Sequence, residues 1–324
     1  MNQRIWSTIR TKNSLRLIAS KILKIEHVCP QIVVRRYEGT LSDRSGGSVP
    51  RATHTLPIIS CQQDFELKLP TFINADCQLA LFFDYDGTLA SIADHPKNTN
   101  LSEDVQNLLN KIVKCQKIRL AIITGRLVDD IQNKVNFKDR SIDYAGNHGL
   151  EIQTRDGSRH DYELSIETQE VYKHLIEELN KKCSINNAWI EDKRVSLTYH
   201  FKNTPANLKE KQRQLAKEII ESYGYTVTSA HDGLEGRPPV KWNKGSAALF
   251  LLEHCYGSNW AKNIKVIYAG DDFSDEDAMK ALKCVAKTFR ISSDPSIQTA
   301  ADFILPSQEV VVDLLKWIIK IYKL

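Results

Sequence analysis

The residues most capable of chemistry are Asp84 and Asp86, in the string DYDGTL (residues 84–89) that directly follows the apolar run Leu79–Phe83. Such a run predicts a buried strand, so both carboxylates emerge where the strand ends. At this spacing one carboxylate can attack phosphorus to form an acyl phosphate, while the other protonates the leaving oxygen and later activates water. Gly87 lets the backbone turn sharply beside them. A solvated Asp-Gly turn after a strand is the simpler alternative, and it would account for Asp86 and Gly87 alone.

Two further segments carry polar residues that the same chemistry requires. Thr124 follows the apolar run Ile118–Ile123, where its hydroxyl could hydrogen-bond a phosphate oxygen, although a Thr-Gly pair between strand and helix is often only a cap and turn. Lys244 begins an apolar-periodic helix, where a cation opposes the helix dipole unless an anion is bound nearby. On its own such a lysine is ordinarily a surface residue. The order of both segments after Asp84 favours a shared phosphate site.

One more segment that could serve this chemistry is the acidic string GDDFSDED (residues 270–277), which follows the predicted strand Lys265–Ala269. Acidic residues favour a helix N-terminus, which accounts for the later ones in this string. Asp271 and Asp272 precede the helix and lie at the same sheet edge as Asp84. Two carboxylates about 4 Å apart repel by roughly 4 kcal/mol at an effective dielectric of 20, so this group needs a cation. Oxygen ligands without nearby His or Cys select a hard ion, and Mg²⁺ is the usual one beside phosphate.

The order of predicted elements explains why these segments would meet. Strands and helices alternate in the segments that flank residues 149–237, which predicts an α/β fold with a Rossmann-like parallel sheet. Residues 149–237 instead combine two long helices with adjacent short strands, so we expect an inserted, smaller α+β cap domain. The catalytic core is then built from residues 76–148 and 238–324, and residues 1–75 form a basic and polar extension outside it. In a parallel sheet the loops at the carboxyl ends of the strands gather on the edge that binds ligands.

Composition excludes several classes of protein. Of the 324 residues 42% are hydrophobic and 26% are charged, as in soluble globular proteins, and no apolar run reaches the roughly 18 residues of a membrane-spanning helix. The net charge of +4 is small, so neither a nucleic-acid nor a membrane partner is expected. Seven cysteines without CxxC spacing argue against a disulfide framework or a zinc site and favour the reducing cytoplasm. Residues 1–25 carry six Lys and Arg and no acid, so they form either a basic tail or an organellar targeting helix.

The string DxDGTL is a signature of the haloacid-dehalogenase superfamily, and residues 78–320 resemble the trehalose-6-phosphate phosphatases within it. Three strings outside the catalytic segments carry the closer resemblance: GNHG (residues 146–149), EDKRVSLTYH (residues 191–200) and LEGRP (residues 234–238). The resemblance implies hydrolysis of trehalose 6-phosphate, in trehalose biosynthesis, through an aspartyl-phosphate and with Mg²⁺ as cofactor.

The same resemblance implies a role for each matching residue. Asp84 would be the nucleophile and Asp86 the general acid and base. The phosphate ligands would be Thr124, Gly125 and Lys244. The metal ligands would be Asp84, Asp86 through its carbonyl, and Asp271, with Asp272 and Asp275 supporting them. The substrate would be bound by Arg126, Asn147, His148, Glu191, Lys193, Glu235 and Arg237.

Three positions in the cap depart from the family's pattern. Arg194 stands where glycine is frequent, Lys202 closes a string that is commonly HYR, and Gly236 replaces a branched apolar residue. These departures leave the substrate open, so a phosphatase of the same fold acting on another sugar phosphate is one alternative. A catalytically silent sugar-phosphate sensor is another, but a sensor has no need of Asp84 and Asp86 as a pair. The sequence also leaves open the oligomeric state and an association with a trehalose-6-phosphate synthase.

Overall fold

The computed structural model describes residues 56–93, 95–137, 142–230 and 233–324, and it contains two β-sheets with helices packed on them. The described strands are β1 (Gln78–Phe83), β2 (Ile118–Ile123), β3 (Asp143–Gly146), β4 (Glu151–Gln153), β5 (Arg159–Asp161), β6 (Trp189–Asp192), β7 (Leu197–His200), β8 (Thr226–Ala230), β9 (Gly233–Arg237), β10 (Ile264–Gly270), β11 (Lys287–Ile291) and β12 (Phe303–Leu305). The described α-helices are α1 (Gln62–Lys68), α2 (Glu103–Ile112), α3 (Val128–Val135), α4 (Ile166–Cys183), α5 (Ala206–Ser222), α6 (Lys244–Tyr256), α7 (Trp260–Asn263), α8 (Asp275–Ala281) and α9 (Glu309–Tyr322). Within these ranges no helix is both long enough and apolar enough to cross a membrane.

The large sheet has the strand order β12-β11-β10-β1-β2-β3-β4-β5. Its neighbours are parallel from β12 to β3, and β4 and β5 are added antiparallel at one edge. The predicted parallel α/β sheet is therefore confirmed. Strand β1 is flanked by β10 and β2, with Phe83 in register with Ala269 and with Ile122. Asp84, Gly270 and Ile123, the next residues along, consequently lie side by side at one edge.

Alternation along β1 explains why this strand forms the centre of the core. Leu79, Leu81 and Phe83 belong to one buried cluster, which includes residues of α2, α3 and α9. Ala80 and Phe82 belong to the cluster on the opposite face, where α6 and α8 pack. Successive side chains of a strand point to opposite faces, so an apolar run without polar interruptions is what a sheet covered on both sides requires.

Part of the predicted N-terminal extension packs on the core, in contrast to the expectation that residues 1–75 lie outside it. The Ile59 amide donates to Ile304 O at 2.9 Å, beside β12. Phe65 of α1 is fully buried and stacks on Trp317 of α9 with ring centroids 5.5 Å apart. Residues 1–55, including the basic segment for which targeting was considered, lie outside the described residues.

The inserted unit has the strand order β6-β7-β9-β8, all antiparallel, and is covered on one face by α4 and α5. The buried side chains of that face include Leu197, Tyr199 and Leu234. The predicted α+β insert is present, but its start differs from residue 149, because β4 and β5 hydrogen-bond to the large sheet. The residues that alternate with these along the strands, Thr198 and Glu235 among them, face away from α4 and α5 and toward the core.

Candidate active site

The carboxyl ends of β1, β2 and β10, together with the start of α6, form the floor of a pocket between the large sheet and the inserted unit. Sheet pairing fixes the floor, because the Asp84 amide donates to Ala269 O at 2.9 Å and the Thr124 amide to Ala145 O at 2.8 Å. The residues predicted from the sequence that line the pocket are Asp84, Asp86, Thr124, Gly125, Arg126, His148, Glu191, Lys193, Glu235, Lys244, Asp271 and Asp272.

Lys244 is a buried cation between two carboxylates. Its Nζ lies 2.9 Å from Asp84 Oδ1 and 2.8 Å from Asp275 Oδ1. Burial opposes the charged form, but the two carboxylates prevail and raise the pKa of Lys244, so it remains an ammonium. The Asn243 side chain caps the helix by accepting from the Ser246 amide at 3.0 Å, which fixes Lys244 as the first residue of α6.

Asp84 and Asp271 lie close to Asp275, and one carboxylate oxygen of each falls within 4.8 Å of the others. Burial, partly opposed by Lys244, raises the pKa of Asp84 well above its usual value. Burial and the charge of Asp275 raise the pKa of Asp271 to about 7. Ionising all three carboxylates therefore requires more positive charge than one ammonium supplies.

This group of carboxylates fits a hard divalent cation. The donors are all oxygens, and no His or Cys joins the group. Asp275 is already engaged: it accepts from Lys244, from Tyr268 Oη at 2.6 Å and from the Asp272 amide at 2.9 Å. That leaves Asp84 and Asp271 as the side chains with the freer oxygens. Thr88 Oγ1 donates to Asp271 Oδ1 at 3.2 Å and helps to orient it.

Gly87 makes room for Asp271 beside Asp84. Its φ is +81°, a left-handed conformation that glycine adopts without strain. A Cβ at this position would lie 2.1 Å from Asp271 Oδ2, well inside van der Waals contact. The glycine of the DYDGTL string is therefore required both by the turn and by the approach of the second carboxylate.

Asp86 lies at the side of the pocket and is held by Arg126. The guanidinium donates to both Asp86 oxygens at 2.6 Å, and it also reaches Asp130 at 2.7 Å and Pro96 O at 2.9 Å. Burial disfavours the charged guanidinium, but the Asp86 carboxylate prevails and raises the pKa of Arg126. Arg126 was predicted to bind substrate, and its principal contact within the described chain is Asp86.

The inserted unit contributes a second polar group above the floor. Glu235 Oε1 pairs with His148 Nε2 and lies 4.0 Å from Lys193 Nζ, while its other oxygen accepts from Arg237 Nε at 2.9 Å. Burial lowers the pKa of His148 to about 4, so the imidazole is neutral at pH 7. Lys193 Nζ also donates to Gly125 O at 3.1 Å. These contacts join the cap strings to the loop after β2.

Three predicted residues do not line the pocket. Asn147 is fully buried, and its side chain donates to Lys193 O at 2.9 Å and accepts from Ser196, so it joins the core to the insert. Arg237 supports Glu235 from the side, and Asp275 lies behind Lys244.

Sequence reasoning missed His95, Trp189 and Thr198, which all line the pocket. The alternation of Trp189 and Glu191 along one strand was the signal that could have identified the tryptophan.

Comparisons with known proteins agree with this geometry. The family model described as trehalose-phosphatase matches residues 82–308. Probable trehalose-phosphate phosphatase E of Arabidopsis thaliana is 33% identical over 219 residues, which cover 64% of this chain and 60% of the plant protein. The chain thus spans somewhat less than two thirds of the length of that relative.

Solved structures give the same result for the fold. The crystal structure of a trehalose-6-phosphate phosphatase related protein is 25% identical, with a TM-score of 0.60, and the match covers 74% of this chain and 96% of that one. A haloacid dehalogenase-like hydrolase from Bacteroides thetaiotaomicron is 17% identical with a TM-score of 0.53, covering 75% of this chain and all of its own, and it shares the fold. With a family match that spans more than half of its length, the chain belongs to the trehalose-phosphatase family and has the haloacid-dehalogenase-like fold.

Proposed function

We propose that this chain hydrolyses trehalose 6-phosphate to trehalose and phosphate through an aspartyl-phosphate on Asp84. The observation that carries the proposal is the buried group at the pocket floor, where Lys244 Nζ lies 2.9 Å from Asp84 Oδ1 and Asp271 shares the same small space. An ammonium between carboxylates at the ends of parallel strands suits a phosphate monoester dianion.

Asp84 supplies the nucleophilic oxygen. It attacks phosphorus, the bond between phosphorus and the sugar oxygen breaks, and the departing oxygen takes a proton from Asp86, which must turn one oxygen away from Arg126 to carry that proton. Water then attacks the acyl phosphate and gives its proton to Asp86, which releases phosphate and regenerates both carboxyl groups. Lys244 and Thr124 hold the phosphoryl oxygens in line, and Arg126 fixes the place of Asp86 through its two hydrogen bonds. Positioning and charge neutralisation supply most of the catalysis in phosphoryl transfer.

Mg²⁺ would be the cofactor of this reaction, and Asp84, Asp271 and the backbone carbonyl of Asp86 would hold it. Bound there, it would supply neutralisation of charge on the phosphoryl oxygens. Two features support the assignment: the donors are oxygens only, and the pKa of Asp271 is raised to about 7 by burial and by Asp275. Asp272 and Asp275 support this group, the latter by hydrogen bonds to Lys244 and Tyr268.

The inserted unit selects the sugar. Glu191 faces the pocket from β6, Lys193 from the turn after β6, and Glu235 from β9. Together they offer acceptors and donors to a polyhydroxylated ligand. Burial tends to raise the pKa of Glu191, but the hydrogen bond with His200 outweighs it and the pKa is lowered. Glu191 is therefore a carboxylate that accepts hydrogen bonds. We assign substrate selection to this unit and phosphoryl transfer to the core. The unit comprises residues 149–237 without the strands β4 and β5, which belong to the large sheet.

The test is release of inorganic phosphate by the purified chain. Trehalose 6-phosphate is compared with sucrose 6-phosphate, glucose 6-phosphate and mannosylglycerate phosphate, each with Mg²⁺ and with EDTA. We expect trehalose 6-phosphate to react fastest, EDTA to abolish release, and added Mg²⁺ to restore it. Equal rates on all sugar phosphates would overturn the proposal that trehalose 6-phosphate is the substrate but not the proposed phosphatase chemistry. Release in EDTA would overturn the proposed metal dependence. Binding of trehalose 6-phosphate without any release would instead identify a sensor.

A further inference from the structure

Three aromatic rings are stacked across the boundary between the insert and the core. The indole of Trp189 lies parallel to the imidazole of His200, with centroids 4.1 Å apart and an interplanar angle of 16°. The imidazole of His95 is also nearly parallel to the indole, with centroids 5.7 Å apart and an interplanar angle of 8°. Trp189 and His200 belong to the insert, whereas His95 belongs to the loop after β1. All three rings line the pocket, so this stack, His95-Trp189-His200, closes one side of it.

The insert end of the stack is tied to a residue that we assign to sugar binding. Trp189 and His200 are a cross-strand pair on β6 and β7. Glu191 lies two residues beyond Trp189 and therefore faces the same side of the sheet. His200 Nε2 lies 2.9 Å from Glu191 Oε2, so one imidazole contacts both the indole and the carboxylate. Movement of Trp189 would therefore displace Glu191.

The core end of the stack is tied to the acid and base. His95 Nδ1 accepts from the Lys97 amide at 3.1 Å, which fixes the imidazole on its loop. The next residue, Pro96, accepts from Arg126 Nη2 at 2.9 Å, and Arg126 holds both oxygens of Asp86. Lys134 Nζ secures the same loop by donating to Lys97 O at 3.1 Å. The indole thus packs on a loop that is held in part by Arg126, the residue that also binds Asp86.

The insert is also joined to the core by the buried contacts of Asn147, His148 and Lys193 described above, and by an exposed ion pair that is less suited to this purpose. Arg194 Nη2 donates to Asp129 Oδ2 at 2.7 Å, but the arginine and aspartate side chains are 56% and 59% exposed. Ion pairs as exposed as this one contribute little, because water and salt screen them. The aromatic stack is half-buried and insensitive to salt, and aromatic pairs add stability beyond their buried area.

We infer that Trp189 is a positioning residue of the phosphatase reaction: by stacking on both His95 and His200 it helps to dock the insert on the core and sets Glu191 over the leaving group. This inference rests on the proposed function, because it assigns the sugar to the insert and the phosphoryl group to the floor. It predicts that Trp189 governs the hydrolysis of sugar phosphates and not of small esters that reach Asp84 without contacting the insert.

The experiment compares Trp189→Ala, Trp189→Phe, His95→Ala and the double variant with the original chain, with His174→Ala on the exposed face of α4 as control. Each protein is assayed on trehalose 6-phosphate and on p-nitrophenyl phosphate. We expect Trp189→Ala to lower kcat/KM for the sugar phosphate about tenfold, from the loss of two aromatic pairs, and to change the small ester less than twofold. Trp189→Phe should restore most of the loss, and the double variant should lose no more than Trp189→Ala alone.

Several results would overturn the inference. Equal losses on both esters would show a merely structural role, and unchanged kcat/KM would show no role. A loss in Trp189→Ala that is simply multiplied by a second loss in the double variant would show direct sugar contact without the stack.

A substrate-independent arm measures denaturant unfolding of the original chain, Trp189→Ala, His95→Ala and the double variant that carries both alanines. We expect the effects of the two substitutions on the folding equilibrium constant to depart from additivity by about fivefold. If the two effects are independent, the stacked contact between residues 95 and 189 does not stabilise the fold, and the inference fails whatever the substrate. If the original chain does not hydrolyse trehalose 6-phosphate, the proposed function fails while this coupling still decides the stack.

Discussion

The substitution Gly87→Ala tests the geometry of the pocket floor with a single methyl group. The new Cβ would lie 2.1 Å from Asp271 Oδ2 and 2.4 Å from its Cγ, so the Asp271 side chain must leave its place. The alanine must also adopt φ +81°, which costs about 1–2 kcal/mol for a residue with a Cβ. Two separate effects therefore arise, one on the backbone and one on the carboxylate.

Gly224→Ala is the matched control, because it isolates the backbone effect. Gly224 has φ +78°, and no heavy atom lies within 4 Å of a Cβ built there. Both variants should lose about 2–8 °C in Tm from the same backbone strain. Only Gly87→Ala should also change the metal dependence, since it displaces a carboxylate that we assign to Mg²⁺. Displacing a group that orients or ligates a metal typically weakens binding by about 10- to 100-fold.

The assay is phosphate release from trehalose 6-phosphate as a function of Mg²⁺ concentration, with Tm measured on the same samples. Gly87→Ala should need at least about tenfold more Mg²⁺ for half-maximal activity, whereas Gly224→Ala should match the original chain. The reasoning fails if both variants lose the same Tm and keep the same Mg²⁺ dependence. That result would mean that Asp271 does not hold the cation.

Other predictions follow from the same contacts. Asp84→Asn should lower kcat by more than about 10³-fold in a variant that still folds, and release at the original rate would remove Asp84 as the nucleophile. Lys244→Met leaves buried carboxylates unpaired, so unfolding should become easier by about 3–5 kcal/mol in denaturant titrations without Mg²⁺. Because the folded-state pKa of Asp271 is raised to about 7, ionising it costs stability as pH rises from about 4 to 7. Mg²⁺ should therefore raise Tm more at pH 8 than at pH 5, and equal gains would contradict this. Glu191→Gln should raise KM for trehalose 6-phosphate and leave p-nitrophenyl phosphate unchanged.

Local patterns were sufficient for the fold of the core. The apolar run before Asp84 is buried on both faces of the central strand, and the alternation of strands and helices correctly predicted a parallel sheet. The apolar runs before Thr124 and Gly270 likewise became neighbours of β1. Strand ends can therefore be predicted from sequence when both faces of a sheet are covered, because such strands carry few polar residues.

Pairing across longer distances was not readable. The strands β4 and β5 are short and partly polar, so nothing local indicates that they extend the large sheet instead of starting the insert. Likewise, α1 follows a polar stretch, and only tertiary contacts, with Trp317 of α9 and Phe289 of β11 among them, place Phe65 in the core. Tertiary contacts decide such short elements, because their own patterns are too brief.

In the site, residue types were more predictable than their partners. Lys244 was expected at the phosphate, and its pairing with Asp84 is consistent with that role. Asp275 was expected to support the metal shell; it offers a carboxylate oxygen within 4.8 Å of those of Asp84 and Asp271, and its part in metal binding stays a prediction. The bidentate hold of Arg126 on Asp86 could not be foreseen, since it depends on how the loop after β2 approaches the loop after β1.

The floor and the insert differ in how firmly the fold holds them, and this difference decides which substitutions alter chemistry and which alter selection. Asp84 continues a strand that pairs on both sides and is packed on both faces, so its place is fixed by the most protected part of the molecule. Glu191 is instead placed through His200 and Trp189, that is, through side chains at a boundary between two packed units. Side-chain contacts at such a boundary can change without unfolding the core. On the proposed function, substitutions in the insert should therefore change the preference among sugar phosphates while phosphate release through Asp84 persists.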